Sequence, residues 1–364
     1  VSPPIVQSTT FDMDDALTAA MDAGDYRSQY LYTRMGNPTV TMLQQQLARL
    51  HGAADAVATA SGMGALTAVL LGLVQPGDVV VADTQLYGVT AGLLAGWVAP
   101  AGRVVVRQDL GDAPARAPAL QDAAGRGGHL WVLAETVSNP LVRALDLEAL
   151  ARDTAAAGGS LLVDNTFAGP QGCQPLRWGA RVVMESLSKS IAGHSDVHGG
   201  AVLGEAADME RVWQTMLHLG SCLDPHAAWL ILRGQRTLKV RADASDRAAA
   251  TLAGWLGTLP AVRQVWYPGL APMPACLTRA GSMLSFAVEG GDDAAQAFLR
   301  RLTLIRAATS LGGVETLASL PFNTSHRTEE ARRLVGLPPG VVRISVGLEA
   351  VEDLQADIEA ALAG

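Results

Sequence analysis

From residue 39 onward the chain switches repeatedly between two spacings of apolar residues. Residues 39–50 and 62–74 carry them in a helical pattern, whereas 54–60, 78–82, 103–107, 129–135, 160–164 and 181–185 are short, largely apolar runs that predict strands. Strands apolar on both faces and separated by helices predict an α/β fold with a mostly parallel sheet covered on both sides. Ligands of such sheets lie beyond the carboxyl ends of the strands. That rule draws attention to 61–63, Tyr87, 135–139, 164–166 and 186–189. After about residue 225 the pattern changes to a long helical stretch through Leu256, then two or three strands and a final amphipathic helix over 351–362. Residues before 39 have little periodicity. The expected organisation is an extended arm (1–38), a large domain (39–240) and a smaller C-terminal α+β domain (241–364).

Composition narrows the partners. The 364 residues are 49% hydrophobic, enough for a sizeable core, and the formal charge of −8 argues against a nucleic-acid or anionic-membrane surface. No charge-free apolar run reaches the ~18 residues that a membrane span needs, so a small-molecule partner is expected. Cys173, Cys222 and Cys276 are far apart and form no C-x-x-C pair, which fits a reducing, cytoplasmic setting without a metal motif. His194 and His198 stand four apart but lack the H-E-x-x-H glutamate, so no metal is expected there either. Among 27 basic residues only Lys189 and Lys239 are lysines. A guanidinium can neither lose its proton at neutral pH nor form an imine, so amine chemistry is confined to these two positions. Lys239, among Arg233, Arg236 and Arg241 in a helical stretch, reads as a surface cation.

Three features carry chemistry. The run 161–164 is a buried strand ending in Asp164, a carboxylate that needs a partner. The next strand ends in Ser186-Leu187-Ser188-Lys189, and the two charges alone suit a structural ion pair. The third feature, Ser61-Gly62-Met63-Gly64, takes a strand through small residues into a helix, where free N–H groups and the helix dipole favour a phosphate. Phosphate cradle, carboxylate and lysine are together the parts that pyridoxal 5′-phosphate (PLP) requires. A dinucleotide fingerprint is the competing reading of Gly62-x-Gly64 with Asp83, but Thr67 stands where that motif needs Gly or Ala, and Lys189 is left without a role. A catalytically silent scaffold would have no use for the intact lysine and aspartate.

With these residues in view, the chain resembles the Cys/Met-metabolism family of fold-type I PLP enzymes, the cystathionine γ-synthase, cystathionine γ-lyase and methionine γ-lyase group. The likeness runs through Ser8-Thr9-Thr10-Phe11, residues 32–39 (YTRMGNPT), 61–65 (SGMGA), Leu86-Tyr87-Gly88, Asn139-Pro140, 163–166 (VDNT), Ser188-Lys189, 193–197 (GHSDV), Arg233-Gly234, 310–313 (SLGG) and 343–347 (RISVG). The resemblance implies a large domain with a mostly parallel, seven-stranded type of sheet and a smaller α+β domain. It implies Lys189 as the lysine that condenses with the cofactor, Asp164 as partner of the pyridine nitrogen and Tyr87 as stacking group and acid. Ser61, Gly62, Met63, Ser186 and Ser188 would hold the phosphate, with Thr166 beside Asp164. Tyr32 and Arg34 would reach the phosphate of a neighbouring subunit in a homotetramer built from site-sharing dimers. Asn139, Thr309, Ser310 and Arg343 would line the amino-acid site, the guanidinium gripping the α-carboxylate. Without the resemblance, Tyr87 reads as an ordinary aromatic and Arg343 as a solvated strand residue.

The implied activity is elimination of a γ-substituent, with γ-replacement on an activated homoserine second and β-elimination third. Four departures from the family pattern unsettle the standard substrates and point to a specialised one: Val89, Thr309, Ser190 after the lysine, and residues 321–326 (PFNTSH).

Overall fold

The six apolar runs and one further strand assemble into a seven-stranded sheet in the computed structural model, which describes residues 2–363. They are β1 (Asp55–Thr59), β2 (Val79–Asp83), β3 (Val104–Gln108), β4 (Leu130–Glu135), β5 (Ser160–Asp164), β6 (Val182–Ser186) and β7 (Gly200–Gly204), in the order β1-β7-β6-β5-β4-β2-β3. Neighbours from β6 to β3 are parallel, and only β7 runs against the rest, antiparallel to both β6 and β1. Alternate residues serve two cores. Val79, Val81, Val132, Leu161, Val163 and Val183 pack on one face with Leu43 and Leu47, whereas Val80, Ala82, Leu133, Leu162 and Met184 pack on the other with Leu66 and Leu70. Local signals fix the helices that cover these faces. Asn37 caps Pro38–His51 by accepting from Thr39 N at 2.9 Å, Pro38 occupies the first turn, and Gly52, at φ 66°, ends the helix in a conformation that suits glycine.

The second sheet comprises β8 (Val262–Trp266), β9 (Met283–Val288), β10 (Arg306–Ala307), β11 (Leu317–Ser319) and β12 (Val341–Ser345), in the order β10-β11-β12-β9-β8. It packs around Phe286 and Phe298, whose rings meet edge to face 5.7 Å apart. The predicted α/β fold with a mostly parallel sheet and a second α+β part is the one observed.

Some expectations need correction. The arm is not wholly extended, because Asp14 accepts from Leu17 N and caps a helix, Asp15–Asp22. The long helical stretch is two helices, Pro225–Gln235 and Leu238–Leu256, parted where Arg241 draws off the Gly234 carbonyl. The C-terminal part has five strands rather than two or three, since β10 and β11 are too short to carry an alternation signal. The expected boundary at 240/241 falls inside the helix Leu238–Leu256.

Candidate active site

The carboxyl ends of β1, β4, β5 and β6 and the loop after β2 open on one cavity of about 810 Å³. Of the residues singled out from sequence, Ser61, Gly62, Met63, Tyr87, Asn139, Asp164, Thr166, Ser186, Ser188, Lys189, Thr309, Ser310 and Arg343 all line it. Tyr32 and Arg34 do not. Both are exposed, with the Arg34 guanidinium 5.6 Å from the centre of the Tyr32 ring.

At one end the helix Gly62–Gly72 starts at the cavity wall. Ser61 Oγ accepts from Gly64 N at 3.0 Å, while the N–H groups of Gly62 and Met63 lie in the first turn, where a helix supplies no acceptor. A Cβ at position 62 would come within 2.8 Å of the Ser186 Cβ, so glycine keeps this corner open to a ligand. Ser188 Oγ is held between Gly199 N, which donates at 3.0 Å, and Gly199 O at 3.3 Å.

Asp164 ends β5 in the floor of the cavity. Thr166 donates to it twice, from N at 3.0 Å and from Oγ1 at 2.5 Å, and Thr166 Oγ1 also accepts from Ser186 N at 3.0 Å, tying β5 to β6. Burial raises the Asp164 carboxyl to about 6, with the Thr166 bonds opposing and the Glu185 charge adding to the rise. A cationic group placed against it would relieve that cost, which suits a protonated pyridine nitrogen. Lys189 lies on the turn after β6, its ammonium donating to Ser310 Oγ at 2.8 Å. Burial, and then the nearby Arg343 charge, lower its pKa and favour the neutral amine that attacks an aldehyde.

Two long-range contacts fix the turn that carries Lys189. Arg241 reaches over from its helix and donates to the carbonyls of Ser190 at 2.8 Å and Ile191 at 3.3 Å. Gly312, at φ 72°, lets the 310–313 loop lie against the Ser190 backbone, where a Cβ would sit 2.5 Å from Ser190 N. Arg343, on β12, donates to Asn139 Oδ1 at 2.8 Å and approaches Ser310 O at 3.4 Å. Burial depresses its pKa to about 10, against the pull of Tyr87 and Glu135. At neutral pH it remains a cation aimed at the cavity. The reading of Arg343 as a solvated strand residue is thereby set aside. Lys239 pairs with Asp243 at 2.8 Å with its side chain 71% exposed, a surface cation as expected.

Sequence reasoning passed over Glu135 as an individual residue. It pairs in register with Asp164, is buried, and accepts from Tyr87 N at 2.5 Å. Burial and the Asp164 charge raise its carboxyl well above the usual range. Its position at a strand end was the available signal. Tyr87 is thus anchored through its backbone while its side chain, 42% exposed, stays at the cavity mouth. Cavity, acid, amine and anion corner fit PLP by size and chemistry.

Comparison with known proteins follows the same line. The family described as Cys/Met metabolism PLP-dependent enzyme matches residues 1–363. L-methionine γ-lyase of Fusobacterium nucleatum subsp. polymorphum is 36% identical over 99% of this chain and 92% of that protein. O-succinylhomoserine sulfhydrylase of Pseudomonas aeruginosa is 36% identical over 95% of this chain and 86% of the relative. Among solved structures, cystathionine γ-synthase from Xanthomonas oryzae pv. oryzae, in complex with aminoacrylate and cysteine, superposes with a TM-score of 0.92 at 38% identity, covering 100% of this chain and 93% of its own.

Proposed function

The chain belongs to the Cys/Met-metabolism PLP-dependent enzymes, and on that footing we propose that it eliminates an uncharged γ-substituent from a small amino acid, releasing a 2-oxo acid and ammonia. PLP is the family's cofactor, and when bound it supplies the electron sink that stabilises a carbanion at the substrate's Cα. Holding and driving the reaction then falls to the side chains. Gly62, Met63, Ser61, Ser186 and Ser188 bind the phosphate. Asp164, oriented by Thr166, holds the proton on the ring nitrogen. Arg343, set by Asn139 and the Ser310 carbonyl, grips the α-carboxylate. Lys189 takes the Cα proton as its neutral amine, with Ser310 steering Nζ, and a second proton then leaves Cβ, whose electrons expel the γ-substituent. Tyr87 stacks on the ring and hands a proton to the departing group.

The observation that carries elimination is the charge count of the cavity lining, whose basic side chains besides Arg343 are Lys189 and His198. Val89, Thr309, Thr324 and Ser325, all uncharged, line the cavity, and Arg343 is the one guanidinium in its lining among the described residues. Transfer of the γ-carbon to cysteine needs a second carboxylate site, which these side chains do not offer. A thioether such as that of methionine needs none. Replacement by sulfide, also free of that requirement, is the second reading, and the relatives include both chemistries. Methionine supplied without a nucleophile is expected to give 2-oxobutyrate, ammonia and methanethiol. Product formed only when sulfide or cysteine is added would reject elimination.

The chain's smaller sheet and its large sheet are two domains in this reading, with the arm preceding them. Tyr32 and Arg34, exposed and away from their own cavity, complete the phosphate site of a neighbouring subunit in a homotetramer. The setting is cytoplasmic.

A further inference from the structure

His198 lines the cavity and is exposed, and none of the chemistry above uses it. Its ring takes part in no hydrogen bond or ion pair among the described residues. Its place in the sheet is unusual. β7 lies between β1 and β6, with Gly200 opposite Thr59 on one side and Ser186 on the other. Carried two residues further along the β6 register, position 198 comes opposite Ser188, while Ser61 lies back over Gly200. The local contacts agree for Ser188, whose hydroxyl Gly199 holds through its N–H and carbonyl, and Gly200 brings the Ser61 carbonyl to the same edge, since a Cβ there would meet Ser61 O at 2.2 Å. Gly200 thus lets β7 lie against Ser61, Gly199 holds Ser188, and the first side chain before these two glycines is an imidazole.

The geometry points to His198 as a further phosphate-binding residue, its ring N–H donating to a phosphate oxygen of the cofactor at the corner built by Ser61 and Ser188. The inference rests on the reading of that corner as the phosphate end. An imidazole there adds a donor that carries charge when protonated, the kind of partner that a phosphate dianion selects.

Cofactor affinity tests this directly. The apo-protein is titrated with PLP and, separately, with pyridoxal, which has the same ring and aldehyde but no phosphate. His198→Val is expected to weaken PLP about tenfold, the weight of one charge-assisted hydrogen bond, and to leave pyridoxal unchanged. His198→Gln, which keeps a neutral donor, is expected to fall between and serves if the valine variant does not fold. The phosphorus resonance of bound PLP should move in both variants. Equal affinity of wild type and His198→Val for PLP, or equal weakening of PLP and pyridoxal, overturns the inference. Ser188→Ala is the companion measurement. If it weakens PLP selectively while His198→Val does not, only the histidine assignment fails. If neither variant discriminates PLP from pyridoxal, the phosphate corner itself has been misplaced.

Discussion

Arg343 acts on two charges at once, and its two effects are separable. As the carboxylate partner, its loss in Arg343→Met should raise KM by about tenfold to a hundredfold, the range for a charge-assisted bidentate contact in a buried site. Its cation also lies near Lys189, whose pKa is lowered first by burial and second by that charge. Removing the cation raises the Lys189 pKa, so a smaller fraction of the amine is neutral near pH 7. The rate at which apo-protein captures PLP should therefore fall at that pH, and its rise with pH should move to higher pH. Stopped-flow capture rates across pH 6 to 10, compared between wild type and variant, check the sign, and an unchanged profile would mean that burial alone sets the amine. Lys189 was legible in the sequence because lysine is nearly absent elsewhere, and Asp164 because an acid closes an otherwise apolar strand. Glu135 offered less, as its partners, Tyr87 N and the facing Asp164, meet it only through the pairing of β4 with β5 and the loop after β2.

The turn bearing Lys189 is held by elements more than forty residues away, and this coupling sets the next expectations. Gly312→Ala would place a Cβ 2.5 Å from Ser190 N at a backbone angle that glycine favours, displacing the loop that presents Ser310 to Lys189. Turnover should drop by at least tenfold, on the scale by which a misplaced catalytic group loses its proton transfer, while the large-sheet core, which Gly312 does not enter, unfolds near its wild-type temperature. Arg241→Met should cost about 1–3 kcal/mol of stability, because the Ser190, Ile191 and Gly234 carbonyls lose a buried donor; chemical denaturation measures it. At this scale the sequence was readable wherever strands were long and apolar. It was silent on β7, whose glycine ends reflect the approach of Ser61 to Gly200 and of the Arg181 carbonyl to Gly204 rather than any periodicity. It was equally silent on β10 and β11, which exist by pairing with longer neighbours.

For the whole molecule, the arm is the element whose purpose a single chain does not exhaust. Thr10 pairs with Tyr32 in a short bridge, and Asn37 donates to Val6 O at 2.8 Å, so the arm is folded back on itself with Tyr32 and Arg34 facing outward. If these residues serve a neighbour's phosphate, Arg34→Ala and Lys189→Ala variants, each inactive, should regain activity when unfolded and refolded together, since a hybrid holds one site with both groups. Mixtures that stay inactive would confine Arg34 to its own chain. The fold class followed from alternation of helices and strands, whereas the meeting of residues 61, 164, 189, 310 and 343 in one cavity needs the folded chain. The account as a whole depends on which amine holds the cofactor. Borohydride reduction of the holoenzyme, followed by proteolysis and mass spectrometry, should place the mass of the reduced cofactor on the peptide containing Lys189; that mass on the peptide containing Lys239, or on no peptide, would contradict it.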